Sequence, residues 1–186
     1  MKLTRNAPFP TASFNRFNCE NKLSKSMTSN IYLNALLKRY CAKVYGGVYA
    51  CNTIAPVRHL HGKSIIVNTA PVGHIGEHFV ALKISRSGRT VWYFDSFGIP
   101  LHNRDIARHF LNGERRRLIN ASPCVQSIFS AHCGFFAAAV IFAHARKLSY
   151  CSLFSIYNFN NLMENDAIVT AFICNSIRCL KRQTPY

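Results

Sequence analysis

Acid is scarce in this sequence. Seven Asp and Glu stand against 23 Lys and Arg, a formal charge of +16. A field of that sign draws polyanions, nucleic acid foremost, without a dedicated motif. Long apolar runs are missing too: Phe135 to Phe142 is far shorter than the ~20 residues needed to span a bilayer. The opening MKLTRNAPFPTASF has charge but no apolar h-region, so no secretory signal is read there. None of the eight cysteines forms a C-x-x-C pair, and His59-x-His61 near Cys51 lacks a second pair at ligand spacing. Both facts weigh against zinc and leave reduced thiols in an intracellular chain as the expectation. There is no zinc-finger, KH or RRM signature, so DNA is expected as a partner bound without sequence readout. The candidate contacts are the run Arg115, Arg116, Arg117 and, in the basic tail, Lys181 and Arg182.

What is present is apolar surface. At 49% apolar and 12% aromatic residues, the chain has the material for one domain with a real core. Residues 1–27 read as a loose extension rich in Pro, Asn, Ser and Thr, and 28–186 as a single domain. A helix is expected from Thr28 to about Val44, capped by Thr28 or Ser29 and ended by Gly46-Gly47. Ser64–Asn68 reads as a short buried strand. Glu77–Ile84 and Thr90–Asp95 read as an antiparallel pair joined by the turn RSGR. Asn103 can cap a helix that Gly113 stops, and a loop runs through Ser122-Pro123. An apolar helix follows from His132 to Arg146, then a last one from 161 to 180. The class is α+β: a small antiparallel sheet with helices around it.

Cys133 lies at the first turn of the apolar helix. Unpaired N–H groups and the positive end of the helix dipole favour its thiolate there. Gly134 leaves room for a substrate backbone. A nucleophile needs a base, and the base an orienting group. His78 and Asp95 fit: the turn centres near residue 87, and their midpoint is 86.5, so the hairpin puts them roughly opposite each other. Gln126 can donate to a developing oxyanion beside the backbone N–H of Cys133. His74 and His132 are weaker bases, His74 in a Gly/Pro loop and His132 pointing away from the thiol beside it. Each residue also has a plain structural reading: a core thiol, a hydrogen-bonded histidine, a turn-capping aspartate, a loop glutamine.

In this order the residues resemble the adenovirus-type cysteine peptidases, within the wider clan that processes ubiquitin-like proteins. The likeness rests on NTAPVGHIGEHFVAL, YFDSFGIPL and QSIFSAHCGFF, with 17 residues from His78 to Asp95 and seven from Gln126 to Cys133. It covers about residues 28–146. It implies a papain-like fold of the adenoviral type, its central helix carrying the nucleophile. It implies Cys133 as nucleophile, His78 as base, Asp95 as orienter and Gln126 as oxyanion donor. It further implies a viral endopeptidase that cleaves precursor proteins during virion maturation, in the virion and host nucleus, as a monomer. The chemistry would need no cofactor, with activation by DNA and, second, by a short peptide. Phe79 replaces the family's usual Trp, Asp95 its frequent Glu, and Arg115 the cysteine to which an activating peptide is linked; Cys124 is displaced from that place. Two other readings stay open: a peptidase of ubiquitin-like modifiers, and a catalytically inactive basic DNA-binding virion protein.

Overall fold

The computed structural model describes residues 29–182 apart from 75, 112–114 and 122. The expected extension 1–27, the cap at Thr28, the stop at Gly113 and the loop residue Ser122 lie outside the described residues.

Strands β1 (Tyr45–Ala50), β2 (Ser64–Asn68), β3 (Phe79–Ile84), β4 (Thr90–Phe94) and β5 (Arg117–Asn120) form one sheet in that spatial order. The sheet is mixed, which corrects the expectation of an antiparallel one. The inner pairs β2–β3 and β3–β4 are antiparallel, but β1 runs parallel to β2 and β5 parallel to β4. Neither edge strand was expected. YGGVYA carries two glycines that read as a helix stop, and RLIN follows an arginine run. Both are only partly buried, so neither shows the apolar run or alternation that marks a strand.

Helix α1 (Asn30–Cys41) starts at Ser29, whose Oγ accepts the Tyr32 N–H at 3.2 Å. It ends at Cys41, before the glycines, which belong to β1. Helix α2 (Arg104–Leu111) is capped as expected: Asn103 Oδ1 accepts from the N–H groups of Asp105 and Ile106 at 3.1 Å. Helix α3 (Cys133–Ala145) is buried from Gly134 to Ala143. A short α4 (Tyr150–Phe154) went unforeseen, and α5 (Asn165–Arg182) closes the described chain.

The period-two pattern of the inner strands sorts their side chains between two cores. Ile66, Phe79, Ala81 and Phe94 meet α3, α1 and α5 on one face. Ile65, Val67, Val80, Leu82, Val91 and Tyr93 meet α2 and the segment around Val57 and Leu60 on the other. Helix α3 is apolar all round because it lies between the sheet, α1, α4 and α5. Six of the cysteines among the described residues are free thiols, whereas Cys174 is disulfide-bonded, a departure from the reduced set expected. No helix among the described residues is long and apolar enough to cross a membrane.

Candidate active site

One end of the β3–β4 pair meets the N-terminus of α3. Register decides what faces what. Ala81 pairs with Phe94 and Leu82 with Tyr93. Continued outward, that register sets residue 97 opposite 78 and residue 80 opposite 95. His78 and Asp95 are therefore diagonal neighbours, not direct partners, which corrects the midpoint argument by one step. The diagonal is still within side-chain reach. His78 also lies just before β3, not within it.

The contact itself is made. His78 Nε2 donates to Asp95 Oδ1 at 3.0 Å, since an ionised carboxylate can only accept. Asp95 is buried, and two more donors converge on it: the Phe97 N–H at 2.8 Å and the Tyr93 hydroxyl at 3.3 Å. With Nε2 committed to Asp95, Nδ1 is the ring nitrogen left for Cys133. Burial alone pushes the His78 pKa down. Hydrogen bonding to Asp95 and to Cys133, and the charges of both, outweigh it and raise it to about 9. The imidazole is thus held as a cation across neutral pH, beside a partly buried thiol.

Two neighbours were not singled out from the sequence. The Phe97 ring lies 4.9 Å from the His78 ring, so the aromatic cover comes from the SFG turn. Phe79, which stands where the adenovirus-type peptidases usually have Trp, is buried in the core of the sheet. Tyr93 could have been found: it lies two residues before Asp95 on a strand, hence on the same face.

The turn that delivers Asp95 is set by Gly98, at φ +77°. A Cβ there would come 3.0 Å from the Cys124 backbone nitrogen. The same turn takes in the next segment, because the N–H groups of Val125 and Gln126 both donate to Ser96 O at 2.9 Å. Gln126 is buried. Its Oε1 accepts from Ser96 Oγ at 2.5 Å, and its Nε2 donates to Ser130 O at 2.9 Å and Ser130 Oγ at 3.3 Å. The amide is thereby oriented with its donor end toward the 127–132 loop that leads into α3.

Of the rival bases, His74 lies exposed in the turn before β3. His132 directs Nδ1 toward Asp166 Oδ2, 3.1 Å away, close enough for an ion pair though not aligned as a hydrogen bond.

The basic candidates fall into two groups. Arg115 and Arg116 line a cavity of about 410 Å³ with Arg58, His61, Ser87, Gly88 and Arg89. It lies at the hairpin end of β3–β4, about 20 Å of strand away from His78. Arg116 is fixed there by the carbonyls of Gly88 at 3.2 Å and Phe110 at 3.1 Å. Arg117 opens β5 and is exposed. Lys181 and Arg182 lie instead at the end of α5, with Lys181 Nζ 5.8 Å from the Tyr40 ring centre. Among the described residues no group of three or more His, Cys, Asp or Glu is placed to hold a metal ion, and His61 belongs to the basic cavity.

Comparison with known protein families finds none that matches the chain, and no curated protein sequence matches it.

Proposed function

We propose that this chain is a cysteine endopeptidase of viral type, similar to the adenovirus-type enzymes. In this reading it cleaves precursor proteins during virion maturation, in the virion and host nucleus. One observation carries the enzymatic part: His78, bonded through Nε2 to a buried Asp95, stands beside Cys133 at the tip of a rigid buried helix. Each part has a task. The thiolate attacks the peptide carbonyl, an S–C bond forms, and the carbonyl π pair moves onto oxygen. The Cys133 N–H and the Gln126 amide receive that oxyanion. His78 gives its proton to the leaving amine as the C–N bond breaks. A water then loses a proton to His78 and attacks the thioester carbonyl, the C–S bond breaks with its electron pair on sulfur, and the thiolate beside the protonated His78 is restored. In this reading DNA, and secondarily a short peptide, act as activators.

A second reading has its own observation. The +16 charge and the arginine-lined cavity suit a basic DNA-binding virion protein that cleaves nothing.

Alkylation separates the two without a known substrate. Iodoacetamide modification of wild type and His78→Ala is followed against pH by peptide mass mapping, with and without DNA. The peptidase reading expects Cys133 to react well below pH 8, ahead of the other cysteines, and to lose that lead in His78→Ala. An ordinary thiol profile in every condition would leave the DNA-binding reading.

A further inference from the structure

The loop between Gln126 and Cys133 is tied to a helix that brings no residue to the catalytic group, and the tie is specific. Asp166, in the first turn of α5, accepts from Ser130 Oγ at 2.7 Å. The same Oγ accepts the His132 N–H at 3.1 Å and the longer of the two contacts from Gln126 Nε2. One hydroxyl thus spends its proton on Asp166 and both lone pairs on the two ends of the loop. The second carboxylate oxygen of Asp166 faces His132, the residue that precedes the nucleophile. Asn165 beside it is buried, and its Nδ2 donates to Val125 O at 2.8 Å, just ahead of Gln126. The start of α5 therefore grips the loop before, within and after the stretch that presents the oxyanion donor.

We propose that Asp166 is a positioning residue for the oxyanion site: through Ser130 it sets the Gln126 amide and the start of α3 relative to each other. This rests on the peptidase reading. Two details favour a role in the reaction over plain structure. Acid is scarce, and this carboxylate lies 3.1 Å from the ring of His132, the residue before Cys133. Moreover, Ser130 Oγ, which donates to Asp166, is itself one of the two acceptors of Gln126 Nε2, at 3.3 Å, so the carboxylate acts on the amide through a single hydroxyl.

Two reagents distinguish setting the oxyanion donor from holding the fold. Iodoacetamide alkylates the thiolate by displacing iodide, and no oxyanion forms. p-Nitrophenyl acetate acylates the same thiolate: an S–C bond forms, charge builds on the carbonyl oxygen, and p-nitrophenolate leaves with the C–O electron pair. Only the second reaction needs the oxyanion donors. Asp166→Ala and Ser130→Ala are expected to slow acylation of Cys133 roughly ten- to a hundredfold, as misplacement of a catalytic group does. Both should keep alkylation within about twofold of wild type, since it uses none of those donors. Asp166→Asn, whose Oδ1 can still accept from Ser130, should recover most of the acylation rate. In a Gln126→Ala background the Asp166→Ala loss should vanish, because both act through one amide. Equal loss in both reactions, or loss in neither, overturns the proposal. If wild-type Cys133 shows no selective alkylation at all, the peptidase reading falls and this inference with it.

Discussion

In the proposed peptidase His78 is the residue on which the chemistry turns, and its charge state can be measured directly. Its folded pKa is raised to about 9, above the ordinary 6.5, by Asp95 and Cys133 acting against burial. The sign follows from linkage. The folded protein holds a proton that the unfolded chain releases above about 6.5, so this stabilisation is complete below 6.5 and is lost as pH rises through about 9. Histidine ring-proton NMR should therefore show one midpoint near 9, moved to lower pH in Asp95→Asn. The melting-temperature gap between wild type and Asp95→Asn should narrow over the same window. A His78 midpoint near 6.5 would show that the contact with Asp95 is not held in solution.

At the scale of elements, the proposed chemistry depends on the turn after β4 and the tip of α3. The turn after β4 must reverse within a few residues to leave Asp95 facing His78, bring Phe97 over the ring, and receive Val125 and Gln126 on Ser96 O. Gly98 makes this possible in a backbone conformation that side chains rarely adopt, against the Cys124 backbone. Gly98→Ala should cost about 1–3 kcal/mol of stability, read from denaturant midpoints. It should also disturb the site, with Cys133 losing part of its alkylation lead. A variant as stable and as reactive as wild type would show that the turn can shift freely. The matching device at the other end of the hairpin is Gly88, at φ +72°, whose missing Cβ leaves room for the His61 ring in the basic cavity.

For the whole molecule, the +16 charge matters through its placement. The arginine cavity and the His78 end occupy opposite ends of the β3–β4 hairpin, so a polyanion bound in the cavity would leave the His78 end uncovered. DNA affinity should fall steeply with salt. Replacing Arg58, Arg89 and Arg115 together by Gln should reduce the slope of log K against log salt by about three, near one per lost phosphate contact. An unchanged slope would move the DNA contacts to Arg117 and the end of α5, where Lys181 and Arg182 lie.

Much of this was legible in the chain itself. The inner hairpin was readable because period-two apolar residues and the RSGR turn are local signals, and the contact between His78 and Asp95 followed to within one diagonal step. The helix opening at Cys133 and the Asn103 cap were readable for the same reason: each is written within a few neighbouring residues. The edge strands were not, because YGGVYA and RLIN become strands only by pairing in parallel with β2 and β4 across long connections. Nor could Phe97 over His78 be placed without the true register. The grip of Asn165 and Asp166 on the loop before Cys133 joins residues 40 and 36 positions apart. So the sequence alone determined which residues could do chemistry and on which local elements they stand. The tertiary structure alone decided the sheet's edges, the ring over the histidine and the partner of the oxyanion loop, because those depend on packing between segments that carry no mark of each other in the chain.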